Sequence, residues 1–531
     1  MSGVDPIELE LYKNIFVSIS EEMGAVLERT SLSPNIKERR DFSCALFNRR
    51  GDTFAQGSHI PVHLGAMPLS VRAAIRALRF EPGDMVLLNH PYQGGTHLPD
   101  ITCISPVFVR HTLRFFVANR AHHSDVGGMS PGSMPLASEI FQEGIIIPPL
   151  KIMRRGKLNH EFLELFLANV RTPDERRGDL MAQMAANQKG VHRLQEVVRT
   201  HGLHKVLRYA RFIQDYTERI LRSTLQSLPD GRYPFSDFLD DDGFGDDPVQ
   251  VGVTLTLEKD EACIDFSPSD PQTRGGVNAN AAVTLSAVLY VFRCLVDEDI
   301  PFNTGLLRPL RLILPKNSVV NASFPSATAA GNVETSQRIV DVLLGALAQA
   351  VPERIPAASS GTMNNVTFGG YDPIRRSGFA YYETIGGGMG AGRNYSGLSA
   401  VHTHMTNSLN TPLEALENYL PIKIRHYGIR SRSGGRGKYR GGDGIVREYE
   451  FLVPTEVSIM SERRRFAPYG LIGGCSGKKG RNILISRGRK KILRSKTNLR
   501  VVPGDVLRIE TPGGGRLWAE NIKPAGTAPV F

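Results

Sequence analysis

Two apolar runs rich in β-branched and aromatic residues, separated by a short polar break, constrain the fold of this chain most strongly. The runs span residues 101–109 and 113–121, and the break between them is Arg110-His111-Thr112. Such runs favour β-strands, and so short a break predicts that they pair as an antiparallel hairpin. Pro106 in the first run has no amide hydrogen to donate, which predicts that this strand lies at a sheet edge.

The register of the hairpin determines which polar side chains meet at its open end. If the turn centres on His111, the numbers of cross-strand partners sum to about 222, which sets Asp100 opposite His122. Directly opposed residues have Cβ atoms roughly 5 Å apart, and His97 arrives on a Gly94-Gly95-Thr96 turn just before. Two imidazoles and a carboxylate suit Zn, Mn or Fe, and three protein ligands leave positions open for water or substrate. The alternative is a hairpin end with satisfied surface polar groups.

This segment also resembles a known family. His97-Leu98-Pro99-Asp100, with His122-His123-Ser124-Asp125-Val126-Gly127-Gly128 downstream, is similar to the B subunit of ATP-dependent hydantoinases and oxoprolinases. That group is related to the metal-carrying subunit of acetone carboxylase. The resemblance implies His97, Asp100 and His122 as metal ligands. We predict His123 or Asp125, one and three residues further on, as the general base or as a residue that orients the ligands.

His59 and His63 are a further candidate pair, because their spacing of four would put both rings on one face of a helix. Pro61 between them disfavours a regular helix, so the residues alone favour structural histidines. The segment His59-Ile60-Pro61-Val62-His63-Leu64-Gly65 resembles the family pattern, which implies a position near the metal or the substrate.

Three later segments that resemble the family carry the remaining candidates. Glu139 and Glu143 lie four apart and present carboxylates together unless they form a solvated helical turn, which the residues favour slightly. The loop with Asn332 and Glu334 precedes a helix, so it contributes to the active site or serves only as a cap. His402 and His404 are two apart and would share a face on a strand, as a second ligand pair or as histidines satisfied by nearby hydroxyl and amide groups.

Periodicity outlines an α+β chain of several domains. We predict an N-terminal α/β region with the metal hairpin, a helical hairpin without chemistry, a central α/β region and a basic, β-rich C-terminal domain, over residues 1–172, 173–228, 229–414 and 415–531. The acidic stretch 229–248, with Asp240-Asp241-Asp242, is expected to be a solvated loop at a boundary, although its carboxylates suit a hard cation.

The cysteines and the apolar runs indicate the cellular compartment of this protein. The five cysteines include no CxxC spacing, which disfavours a disulfide framework and fits a reducing compartment. The longest apolar run, residues 281–292, is well short of the ~20 residues of a membrane span, and the first ten residues do not form a signal. We predict a cytoplasmic protein that does not enter a membrane.

Charge is unevenly distributed along the chain. Residues 421–500 carry 21 Lys/Arg and 5 Asp/Glu, a balance of +16, so the remainder carries 11 − 16 = −5. A nucleic-acid binder has such a basic region, but this one lacks interleaved aromatic residues, so no nucleic acid is predicted. An acidic partner subunit, phosphate or plain solvation are the alternatives.

Glycine-rich loops do not supply a nucleotide site. Gly386, Gly388 and Ala391 fit a GxGxxA variant, but a poor helix opening follows them, and Ile472 and Lys479 depart from the Walker A pattern. The resemblance implies a hetero-oligomer in which an ATP-binding A-type subunit phosphorylates a small cyclic amide and this chain completes ring opening with its divalent metal. An acetone-type carboxylase subunit and a noncatalytic scaffold for the ATPase subunit are the alternatives.

Overall fold

The structure, a computed structural model, describes residues 4–518 and has the predicted α+β architecture, with helices and several sheets. Its N-terminal part pairs a long amphipathic helix with a large antiparallel sheet. The helices there are α1 (Pro6–Thr30), α2 (Pro34–Lys37), α3 (Ala66–Ala77) and α4 (His160–Leu167). The strands are β1 (Phe42–Asn48), β2 (Thr53–Gln56), β3 (Met85–Leu88), β4 (Asp100–Val109), β5 (Thr112–His122), β6 (Leu150–Arg154) and β7 (Lys157–Leu158).

The predicted hairpin is β4–β5, in a seven-stranded sheet of order β2-β1-β5-β4-β3-β6-β7. Its register sets Asp100 opposite His122, as predicted. The edge position inferred from Pro106 is wrong, because β4 lies between β5 and β3. Strand β3 pairs with β4 only at residues 102–104, so Pro106 lies beyond its neighbour and its missing amide hydrogen leaves no partner unsatisfied there.

The predicted helical hairpin covers one face of this sheet. It consists of α5 (Pro173–His201) and α6 (Leu203–Gln226), and Gly202 between them has φ +80°, a conformation that favours glycine. Apolar side chains of α1, β1, β5, α5 and α6 form one buried cluster. A polar stripe of α5, formed by Asp179, Gln183 and Asn187, is also fully buried.

The central part packs two helices on a four-stranded sheet of order β11-β10-β9-β8. Its elements are β8 (Gly231–Leu239), β9 (Val249–Glu258), β10 (Glu261–Asp265), α7 (Ala281–Cys294), β11 (Leu310–Ile313) and α8 (Ser336–Ala350). The solvated loop expected at 229–248 is wrong, because β8 occupies its first half and Asp240 and Asp241 are buried. Asp240 accepts hydrogen bonds from the amides of Arg464 and Arg465, which satisfies a carboxylate that sequence alone assigned to water.

The C-terminal part is rich in strands, as predicted. Its elements are β12 (Asn365–Asp372), β13 (Ser377–Glu383), α9 (Leu413–Tyr419), β14 (Ile422–Arg430), β15 (Gly444–Phe451), β16 (Thr455–Met460), β17 (Arg481–Ser486), β18 (Arg489–Leu493), β19 (Lys496–Val501) and β20 (Val506–Glu510). They form sheets of order β13-β12-β16-β19 and β14-β15-β20-β17-β18. The first of these sheets combines strands from both sides of residue 414.

The structure also bears on the predictions about cysteines, membrane-spanning helices and domain boundaries. All five cysteines are free thiols, as expected. Among the helices of residues 4–518, none combines the length and the apolar character that crossing a bilayer requires. The domain boundaries stay predictions, and their outermost residues, 1–3 and 519–531, lie outside the described part of the chain.

Candidate metal centre

The open end of the β4–β5 hairpin gathers three ligand-type side chains. Asp100 is the first residue of β4 and His122 the last of β5, and the two are direct cross-strand partners. The turn before β4 brings His97 to the same place, since the Asp100 amide donates to the His97 carbonyl at 3.1 Å. Gly94 permits this turn with φ +93°, and a Cβ there would lie 2.4 Å from the backbone of Leu69.

The three side chains form a compact triangle of ligand atoms. His97 Nε2 lies 3.2 Å from His122 Nδ1, and each nitrogen lies 3.2–3.3 Å from Asp100 Oδ1. All three residues are at most 2% exposed. The sequence therefore predicted correctly that these three side chains lie close together. Their ligand atoms are near enough to one another to hold a metal ion.

The triangle has the dimensions of a cation site. In a tetrahedral complex the distance between ligand atoms is roughly 1.6 times the metal–ligand distance, so edges of 3.2–3.3 Å correspond to metal–ligand distances of roughly 2.0 Å. That value lies in the range for zinc bound by imidazole nitrogen and carboxylate oxygen. The donor set of two imidazoles and one carboxylate also suits manganese and iron. The residues present therefore fit the predicted divalent metal.

A second layer of polar groups holds Asp100 in place. Its Oδ2 accepts a short hydrogen bond from Thr96 Oγ1 and lies 3.3 Å from His63 Nε2. His63 Nδ1 in turn lies 2.9 Å from Ser43 Oγ. Burial alone would raise the pKa of Asp100, but the nearby His97 and His63 and the hydrogen bonds from His122 and His63 keep it well below its usual value. The carboxylate is thus held ionised, as a metal ligand must be.

A chain of side chains from the C-terminal part supports His122. The ring of Tyr382 stacks on that of His122, with centroids 4.4 Å apart and planes at 19°. Tyr382 Oη donates to Asn365 Oδ1 at 2.9 Å, and Asn365 Nδ2 donates to Glu334 Oε1 at 2.7 Å. Burial lowers the pKa of His122, which favours the neutral ring that binds metals.

A small cavity adjoins the cluster. It has a volume of about 20 Å³, and its lining includes His63, Asp100, His122, Asn332 and Tyr382. That space holds about one water molecule. Asn332 belongs to a π-helical turn, Gly331–Thr335, and its Oδ1 has no hydrogen-bond partner among residues 4–518. The cyclic amide that the family resemblance implies is larger than this cavity, so it could enter only if the lining side chains moved apart.

The two predicted base residues have different surroundings. His123 Nε2 lies 3.0 Å from Gln183 Oε1 of α5, and burial lowers the pKa of His123 to about 4, so the ring is neutral at neutral pH. Asp125 instead organises its loop, because it accepts hydrogen bonds from the amides of Gly127, Gly132 and Arg171 and pairs with the Arg171 guanidinium.

The predicted acidic candidates separate in the structure. Glu139 is exposed, whereas Glu143 is fully buried, so the two do not present their carboxylates together and the solvated turn is wrong for Glu143. Glu143 Oε1 accepts hydrogen bonds from the amides of Thr328 and Ala329, both at 2.8 Å. Burial raises the pKa of Glu143 to about 7. Glu334 is likewise buried, and burial raises its pKa to about 7.

The remaining histidines differ in their relation to the cavity. His63 lines it, while His59 accepts a hydrogen bond from the Cys44 amide and lies 3.6 Å from Glu21. His402 and His404 are not on a strand, contrary to expectation, because His404 has φ +60° and breaks the extended backbone. Burial lowers the pKa of each to about 4, and His404 Nδ1 lies 3.4 Å from Tyr290 Oη.

Sequence reasoning missed the residues that support the site. Tyr382 lies four residues before the glycine-rich loop that begins at Gly386, and nothing in the local sequence indicates its contact with His122. Gln183 had a usable signal, since Asp179, Gln183 and Asn187 repeat every four residues within a helical pattern. One acid and two uncharged amides in such a register indicate a helix face that packs on polar groups.

Comparisons with known proteins agree on one family. A family model described as Hydantoinase B/oxoprolinase matches residues 5–516. The 5-oxoprolinase 1 of Arabidopsis thaliana is 42% identical over 537 residues, covering 96% of this chain and 42% of that protein. The chain thus spans about two fifths of the length of several relatives that it matches.

Two solved structures have the same fold. The ATP-dependent caprolactamase from Pseudomonas jessenii superposes with a TM-score of 0.90 at 27% identity, covering 97% of this chain and 91% of that one. The nucleotide-free acetone carboxylase gives a TM-score of 0.89 at 19% identity, covering 97% of this chain and 76% of that one, a likeness of fold alone.

Proposed function

Since the chain belongs to the hydantoinase B/oxoprolinase family, as its motifs predicted, we propose that it hydrolyses a cyclic amide as the B-type component of an ATP-dependent system. Relatives named 5-oxoprolinase and ATP-dependent caprolactamase support this substrate class. An ATP-binding A-type partner would phosphorylate the amide, and this chain would complete the ring opening. Water adds to the activated carbon, the carbon–nitrogen bond breaks, and the nitrogen takes up a proton to become an amine. A second water then releases the phosphoryl group as inorganic phosphate, which leaves a carboxylate.

The observation that carries the proposal is the triangle of His97, Asp100 and His122 beside a cavity. These residues would hold a divalent metal. A bound divalent cation polarises a carbonyl oxygen and lowers the pKa of a coordinated water. The fixed geometry of the three side chains keeps the reacting groups aligned, because Thr96 and Tyr382 restrain two of the ligands.

Other residues of the cavity would bind and orient the substrate. Asn332 Oδ1, which lacks a partner among the described residues, would accept the N–H of a cyclic amide. His63 is linked to both Asp100 and Ser43, so it can hold a proton at the cavity wall. His123 and Asp125 stay predicted as base or positioning residues, and the neutral ring of His123 is the form that accepts a proton.

Metal content and activity of one matched pair of variants test this function. Purified Asp100→Asn is expected to lose its divalent metal, measured by elemental analysis, while its circular dichroism stays unchanged. The control is Asp247→Asn, because Asp247 is exposed and has no ion pair among residues 4–518. With an A-type partner and ATP, the wild type and the control should open rings of 5-oxoproline, hydantoins or lactams, and Asp100→Asn should not.

Two results would overturn the proposal. Metal retained by Asp100→Asn with full turnover removes the assigned site. A wild type that contains no metal and opens no ring with any partner fits a scaffold instead. Ketones with bicarbonate in the same panel identify a carboxylase by carbon incorporation.

A further inference from the structure

A second cavity lies at the opposite end of the strands that carry the metal cluster. Its volume is about 590 Å³, and five arginines line it: Arg49, Arg50, Arg114, Arg211 and Arg308. We call it the arginine cavity. Phe115 lies on its wall, seven positions before His122 along β5. At ~3.3 Å per residue the two sites are roughly 23 Å apart, so the arginine cavity is not part of the metal centre.

The charge of this cavity is only partly compensated. Arg308 pairs with Asp215 and Glu218, and Arg211 also faces Asp215. Asp52 also lines the cavity and pairs with Arg72. Arg49, Arg50 and Arg114 form no ion pair with any of residues 4–518. The chain outside residues 421–500 has a net charge of −5. The five arginines around this cavity are therefore a local concentration of positive charge in an otherwise acidic part of the chain.

Irregularities in both neighbouring strand pairs shape the wall. In β4–β5, Val107 pairs with Phe115 and Phe108 with Leu113, so Arg114 is an extra residue without a partner opposite. A β-bulge of this kind re-aims a side chain out of the regular alternation. The Nε of Arg114 is buried and has no hydrogen-bond partner among the described residues. A buried, unsatisfied guanidinium nitrogen is costly unless a ligand satisfies it.

A second β-bulge, in the β1–β2 pair, lies beside the same cavity. Leu46 pairs with Ala55 and Phe47 with Thr53, which leaves Phe54 without a partner in β1. Phe54 lines the cavity and packs edge-on against Phe115, with ring centroids 5.9 Å apart. The lining of the cavity therefore combines buried aromatic rings with guanidinium groups and a few polar side chains.

We propose that the arginine cavity binds a small molecule that carries two or more phosphoryl groups. Guanidinium groups bind phosphate oxygens through paired, charge-assisted hydrogen bonds. Three arginines that form no ion pair among the described residues, on two separate chain segments, suit several phosphoryl groups better than one. The volume lies within the ~300–1,000 Å³ of ordinary small-molecule sites, which admits inorganic pyrophosphate as well as a nucleotide. This proposal does not depend on the reaction at the metal centre.

Calorimetric titration of the full chain at low salt tests the site, with pyrophosphate, ADP and ATP as probes. Two variants remove its charge, Arg114→Gln at the bulge and the exposed pair Arg49→Ala/Arg50→Ala. Each is expected to weaken binding roughly tenfold or more, because it removes charge-assisted hydrogen bonds to phosphate. Arg79→Ala is the matched control, since Arg79 is exposed, lies outside the cavity and has no ion pair among residues 4–518. It should bind within twofold of the wild type.

Each outcome decides the proposal. Tighter binding of ADP or ATP than of pyrophosphate identifies a nucleotide site, and equal binding identifies a pyrophosphate site; both support it. Binding that Arg79→Ala weakens as much as the cavity variants do reflects overall charge and overturns it. The absence of any heat of binding with all three probes at millimolar concentration also overturns it. So does an oligoglutamate peptide that binds more tightly than the three probes and is weakened by the same arginine substitutions. An unchanged circular dichroism spectrum and melting temperature of each variant verify that the fold is intact.

Discussion

Replacing Glu334 with glutamine should remove a defined part of the pH dependence of stability. Glu334 is fully buried, and burial raises its pKa from 4.5 to about 7, while Thr362, Lys496 and Arg464 offset only part of this effect. The folded protein therefore binds the Glu334 proton more tightly than the unfolded chain does. At ~1.4 kcal/mol per pKa unit, the difference corresponds to about 3 kcal/mol.

The sign of the effect follows from this difference in proton affinity. The stabilising contribution of the protonated Glu334 is fully present below pH 4.5 and is lost as the pH rises through about 7. A glutamine does not titrate, and its Oε1 can still accept from the Met363 amide and from Asn365. The unfolding free energy of Glu334→Gln, relative to that of the wild type, should therefore rise by about 3 kcal/mol between pH 4 and pH 8.

Urea denaturation of metal-free protein at pH 4, 6 and 8 measures this difference. Comparing the two proteins at each pH cancels the contributions of Glu143 and other buried acids that the substitution leaves in place. Glu258→Gln serves as the control, because Glu258 is exposed at the end of β9 and has no ion pair among the described residues. A difference between Glu334→Gln and wild type that stays constant with pH would refute the reasoning.

Three further predictions concern the surroundings of the metal centre. Tyr382→Phe keeps the ring but loses the hydrogen bond to Asn365, so chelator competition should show metal affinity weakened roughly tenfold; unchanged affinity would contradict its positioning role. Gln183→Ala removes the hydrogen-bond partner of His123, the Ile101 carbonyl and Asn119, so urea denaturation should show a free energy of unfolding lower by about 2 kcal/mol, and an unchanged value would disprove this role. Gly331→Ala would place a Cβ 1.9 Å from a backbone oxygen, so the variant should misfold or lose metal, and normal metal content with an unchanged melting temperature would exclude that constraint.

Local pattern was enough to predict the hairpin and its register. Strand alternation has a period of two, and a short turn fixes which residues oppose each other, so Asp100 and His122 followed from the positions of two apolar runs. The long helices were equally predictable, because their apolar residues recur at spacings of three and four. These features depend on neighbours in the sequence.

The predictions that were wrong, and the residues that were missed, depend on contacts between residues that are far apart in the sequence. Asp240 was assigned to solvent because its segment is acidic, but amides more than 220 residues away satisfy it. Tyr382 reaches His122 across 260 positions of the chain, and no local pattern encodes that contact. Pro106 indicated an edge, and only the length of β3 explains why it is tolerated in an interior strand.

The walls of the small cavity come from stretches of chain around Ile60, Asp100, Asn332, Met363 and Thr406. No contiguous fragment of the protein contains them all unless it spans most of the described residues. A chain cleaved in its middle, or one still emerging from the ribosome, would possess the hairpin but not the enclosure around it. Retention of the proposed cation would then report that tertiary assembly is complete, because an unfinished or nicked copy would lack the enclosed site.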